Sequence, residues 1–164
     1  MDKKAIVLFS IIFLGLFFVL AFKSDSQPSP GTQDKNTASL ITAPEQLYDF
    51  GTISMANGKV SHVFKINNPT QNEIKIASVT TSCMCTAAYI VKGESKKGPF
   101  GMPGMGAVPP ADETIKSGES MEVEVVYDPN AHGPAGVGAI DRFVYVTEKN
   151  GSALQVEIKA MVTP

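Results

Sequence analysis

Tryptophan is missing from the 164 residues, arginine occurs once, at Arg142, and cysteine twice, at Cys83 and Cys85. Tryptophan and arginine commonly anchor tight interfaces, so their scarcity argues against a high-affinity protein receptor. Two cysteines separated by one residue form at most one bridge, which excludes a disulfide-stapled scaffold and leaves stability to a packed core. Standard enzyme templates are also lacking: there is no Gly-x-Ser-x-Gly elbow, no His-Glu-x-x-His pair and no phosphate-binding glycine loop. Asp112-Glu113 and the glutamates alternating around Val123 read as solvated positions rather than a paired acid and base. A non-enzymatic protein is the expectation.

A basic excess is missing as well. Of 14 basic and 16 acidic residues, Lys3, Lys4, Lys23 and Asp2 precede Ser24, so the remainder carries a net charge of −4 and offers no face for nucleic acid.

What the chain does have begins with a long apolar run. Ala5 to Phe22 holds no charge and only Ser10 as a polar interruption, behind Lys3 and Lys4. At ~1.5 Å per residue it extends roughly 27 Å, enough for one transmembrane helix across a core of about 30 Å. The lysines then stay cytoplasmic and the rest is exported. The run exceeds the ~7–15 residues of a signal h-region, which favours a retained single-pass anchor (1–23) over a signal peptide cleaved after Ala21. The first reading gives a cell-membrane protein with a periplasmic or extracellular domain, and the second a secreted or periplasmic one. Residues 24–42, rich in Ser, Thr, Pro, Gln and Asp, read as a flexible linker with a reach of ~24 Å.

Residues 43–164 suit a single domain. From residue 47 the hydrophobic pattern has period two, the signature of strands wet on one side. Val60, His62, Phe64 and Ile66 share one face. Met121, Val123, Val125 and Tyr127 repeat the pattern, as do Leu154, Val156, Ile158, Ala160 and Val162. Ile140 to Val146 is apolar on both faces and reads as a central strand, with Arg142 at a rim or paired. Asn57-Gly58 and Asn150-Gly151 predict tight hairpins. Seven strands follow, near 47–52, 59–66, 73–80, 85–91, 120–127, 139–148 and 152–162, and suggest an all-β, antiparallel immunoglobulin-like sandwich. Residues 93–116, crowded with glycine and proline, read as a long loop carrying Met102 and Met105.

The segments Tyr48 to Ile53, Val60 to Asn68, Ser82-Cys83-Met84-Cys85-Thr86, Ile115 to Ser120 and Val123 to Asp128 together resemble an exported bacterial domain-of-unknown-function family. Its hallmark is Ser-Cys-Gly-Cys-Thr, and it is similar to ASH, MSP and hydin immunoglobulin-like domains. The resemblance implies the sandwich fold and no particular activity. Met84 in place of glycine and the Gly/Pro/Met loop are this chain's departures from the pattern.

Three readings of the cysteines stay open. They can be small buried hydrophobes. On an extended strand they would share a face at ~7 Å, where a bridge between them is strained and reducible, which suits thiol redox chemistry. Or they bind a soft metal: thiolates and thioethers suit Cu(I) and imidazole suits copper, so Cys83, Cys85, His132, Met102 and Met105 form a candidate copper set if their loops converge. His62 reads as a core or rim histidine. The leading expectation is a membrane-tethered binding or scaffold module of the cell envelope, contacting an envelope protein without a cofactor. The alternative is a copper-binding or thiol-redox domain.

Overall fold

The computed structural model describes residues 38–164; the proposed anchor and most of the linker lie outside them. Among the described residues no helix is long and apolar enough to cross a membrane. Nine strands form: β1 (Leu47–Ser54), β2 (Val60–Asn67), β3 (Ile74–Thr81), β4 (Thr86–Lys92), β5 (Ser95–Phe100), β6 (Glu113–Ile115), β7 (Ser120–Tyr127), β8 (Gly138–Glu148) and β9 (Ala153–Thr163). They make two sheets, ordered β1-β9-β8-β3-β6 and β2-β7-β4-β5. With β3, β8 and β9 in one layer and β2, β7 and β4 in the other, this is the strand order of an immunoglobulin sandwich.

The period-two pattern explains the core. Phe64 and Ile66 from β2, Val123 and Val125 from β7, and Val156 and Ile158 from β9 are buried, while their sequence neighbours turn outward or lie at the rim. His62 sits at that rim. Its ring stacks on Tyr48 with centroids 3.6 Å apart, and its Nε2 lies 2.7 Å from Glu45 Oε2. The interior position of β8 agrees with its apolar residues on both faces.

Four readings need correction. First, β1 runs parallel to β9, so the sandwich is not wholly antiparallel. Second, Asn57-Gly58 is not a hairpin turn: a short 3-10 turn, Met55–Asn57, carries the chain from one sheet to the other, with Gly58 at φ 78° closing it. Third, the loop read over 93–116 contains two strands. Gly98 makes β5 feasible beside Tyr89, because a Cβ there would sit 2.8 Å from the Ala88 carbonyl oxygen, and the ladder shifts register at that point.

Fourth, residues 39–42, read as the end of the linker, belong to the folded unit. Ile41 is buried, Thr42 bridges to Asn67, and the buried carboxylate of Glu148 accepts hydrogen bonds from Ser39 Oγ (2.7 Å), Leu40 N (2.7 Å) and Ile41 N (3.2 Å). Polarity alone concealed this, because two of the three bonds come from backbone N–H groups and Ile41 is the one buried residue of the four. Asn150-Gly151 does form the β8–β9 hairpin, with Gly151 at φ 93°.

Candidate functional site

Cys83 and Cys85 lie in the short link that crosses from β3 in one sheet to β4 in the other. They occupy a tight turn, not an extended strand, so their Cα atoms are 5.3 Å apart and the sulfurs are joined as a disulfide. That separation is ordinary for a bridge, and the expectation of a stretched pair is corrected. Buried Thr81 holds the turn: its Oγ1–H is shared between the carbonyls of Cys83 (3.0 Å) and Thr86 (3.1 Å). Thr86 N donates to Cys83 O and Asp128 N to Cys85 O, so the turn is fastened on both sides. Ser82 locks it to β8 by exchanging two 2.9 Å hydrogen bonds with the Phe143 backbone.

The two sulfurs have different surroundings. Cys85 is buried and Cys83 is partly open. Arg142, on β8, donates its Nε–H to Cys85 Sγ at 3.1 Å and an Nη1–H to Asp141 O at 2.7 Å. On the other side, exposed His132 brings Nε2 to 3.3 Å from Cys83 Sγ. A disulfide sulfur carries no proton, so a hydrogen bond in this contact can run only from Nε2–H to the sulfur. His132 is positioned by the β7–β8 loop, where Asn130 N caps back onto Asp128 Oδ1 and Gly133 N onto Asn130 O. The Asp128 carboxylate also faces Lys59 at 3.6 Å.

Tyr127 is buried and sits opposite Thr86, the residue after Cys85, in the β4–β7 ladder. Burial pushes its phenol above its ordinary value, with the Arg142 charge opposing and Asp128 adding to the rise.

Of the five residues proposed from sequence, the structure brings three together: Cys83, Cys85 and His132, whose ligating atoms all lie within 4.8 Å of one another. Met102 and Met105 instead gather with Met84, lining a shallow depression of about 260 Å³ together with Thr86, Pro99 and Val108. Arg142 was not among the five. Its signal was present, since it is the lone arginine and interrupts an apolar strand, but its partner is fixed only by the pairing of β8 with β3.

Residues 41–101 match a family described as a protein of unknown function (DUF1573), a stretch that includes the cysteine turn. No curated protein matches the chain. Among solved structures, a protein of unknown function from Porphyromonas gingivalis W83 is similar at TM-score 0.54 and 15% identity, over 74% of this chain and 46% of that one. A family 123 glycoside hydrolase from Clostridium perfringens is similar at TM-score 0.51 and 6% identity, over 71% of this chain and 22% of that one. The ASH / PapD-like domain of human CEP192 follows at TM-score 0.44 and 14% identity, over 82% and 92% of the respective chains. The chain thus spans less than half the length of the first two, and at these identities the likeness is one of fold.

Proposed function

We propose that this chain is an extracytoplasmic immunoglobulin-like module, held at the membrane by the apolar run Ala5 to Phe22, that engages an envelope protein by thiol–disulfide exchange at Cys83–Cys85. In this reading it is a stoichiometric exchange partner, joined to the other protein through a mixed disulfide, rather than an enzyme. The observation that carries the proposal is the asymmetry of the bridge: an accessible sulfur beside an imidazole and a buried sulfur beside a guanidinium.

Exchange begins when a thiolate attacks one sulfur and expels the other. Access favours attack on Cys83. The incoming thiolate forms a new S–S bond to Cys83 Sγ, the Cys83–Cys85 bond breaks, and its electron pair leaves on Cys85. Arg142 already donates to that atom and carries a permanent charge, so the leaving thiolate is stabilised without rearrangement. A second thiol of the partner then attacks the mixed disulfide on the partner's own sulfur, releasing Cys83 and leaving the partner oxidised. His132 Nε2–H lies where it can hydrogen-bond the departing Cys83 thiolate.

The test is equilibration of the protein with defined mixtures of reduced and oxidised glutathione, followed by alkylation and mass measurement. The expected result is reversible interconversion between bridged and dithiol forms, with Cys83 glutathionylated and persistent in Cys85→Ser. A bridge unaffected across the whole range of mixtures would overturn the proposal.

A further inference from the structure

We infer that the dithiol form of the same turn is a binding site for one Cu(I) ion, held by Cys83 Sγ, Cys85 Sγ and His132 in three-coordinate geometry. The inference rests on the proposed reading in one respect only, that the bridge can be opened.

Three observations lead there. The first is convergence: ligating atoms from two separate loops, the β3–β4 turn and the β7–β8 loop, lie within 4.8 Å of one another, close enough to meet at one ion. The second is ligand chemistry. Two thiolates and an imidazole are a soft set, whereas hard cations want oxygen donors. A structural zinc site wants a fourth ligand, and among the described residues the cluster contains three. The nearby Asp128 carboxylate is engaged by Lys59 and Asn130 N, and His62 is engaged by Glu45 and Tyr48.

The third observation is charge. Binding replaces two thiol protons, which pass to solvent, with one Cu(I), so the metal–dithiolate unit carries a net charge of about −1. Arg142 supplies the compensating positive charge through its Nε–H to Cys85 Sγ, the outer-shell hydrogen bond that thiolate ligands use. The bridged form has no thiolate to offer. Oxidation by a disulfide therefore removes the ligands and would release the ion, so metal occupancy reports the redox state of the surroundings.

Met84, Met102 and Met105 lie outside this set, since two thiolates and an imidazole already complete a trigonal site. They remain a check on the assignment.

The decisive experiment uses the full chain in detergent, opened anaerobically with a phosphine so that no thiol exchange is required. Cu(I) is titrated against a chromophoric Cu(I) chelator, with stoichiometry read by native mass spectrometry. The expected result is one Cu(I) per reduced chain and none per bridged chain. Cys83→Ser, Cys85→Ser and His132→Gln should each weaken binding by roughly 10–100-fold or more, the scale set by outer-shell partners alone. The double variant Met102→Leu/Met105→Leu should bind like the parent. His132 is exposed, so His132→Gln keeps the fold and separates ligand loss from misfolding.

A reduced chain that takes up no Cu(I), a His132→Gln variant that binds as tightly as the parent, or loss of binding in the methionine variant would overturn the inference. Because the phosphine bypasses exchange, failure of the glutathione equilibration leaves this result readable, and failure here leaves the exchange reading intact.

Discussion

Arg142 is the residue on which the proposed chemistry of the bridge turns. A hydrogen bond from a guanidinium to a thiolate is worth more than one to a neutral disulfide sulfur, so Arg142 favours the open form. Arg142→Met keeps much of the bulk and removes the charge. The bridge should then become harder to reduce by about 1.4 kcal/mol, a tenfold change in the exchange equilibrium or ~30 mV, readable in the same glutathione titration. Arg142→Lys should recover only part of this, since an ammonium lacks the planar fork. The cysteines were legible in the sequence because their spacing is local. His132 was legible as a glycine-flanked loop histidine, but Arg142 became a site residue only through the neighbouring positions of β3 and β8.

Strands with strict alternation, such as β2, β7 and β9, could be read directly, since burial on one face leaves no other register. The misses occurred where tertiary context decides. Asn57-Gly58 carries a hairpin signal, yet β1 and β2 join different sheets, so the local preference serves a crossover instead. The short strands β5 and β6 lie in a stretch crowded with glycine and proline, too brief to show a period, and are held by what they pair with. Glu113 on β6 receives Lys92 at 2.6 Å and Lys97 at 3.1 Å, and Lys97 also donates to the Ala111 carbonyl. Burial pushes the Glu113 carboxyl up, but the hydrogen bonds and charges of the two lysines outweigh it, and the net value is lowered.

A carboxylate lowered in the folded state stabilises the fold above its unfolded value and loses that contribution as pH falls through the folded value. Glu113→Gln should therefore cost stability at neutral pH, by less than about 1 kcal/mol because the lysines are half-exposed. The gap in melting temperature between the two proteins should close as the medium is acidified below the usual carboxylate range.

At the scale of the molecule, the sandwich has two ends with different tasks. One gathers the cysteine turn, the β1–β2 crossover and the His132 loop. The other gathers residues 39–42, the β8–β9 hairpin and Glu148, about 20 Å along β8 from Arg142 at ~3.3 Å per residue. Glu148→Gln keeps the shape but weakens three charge-assisted bonds to the incoming chain, and should lower stability by about 1.5–3 kcal/mol in a denaturant midpoint measurement. The same variant should leave the glutathione equilibrium of Cys83–Cys85 unchanged, since sites this far apart without shared partners behave independently.

The grip of Glu148 also ties together positions that are remote in the chain, since its bonds to Ser39, Leu40 and Ile41 span 109, 108 and 107 residues of sequence. Such a closure forms only after nearly all of the sandwich has been made. It is a clasp, fastened late, and the rest of the fold must be in place to hold it.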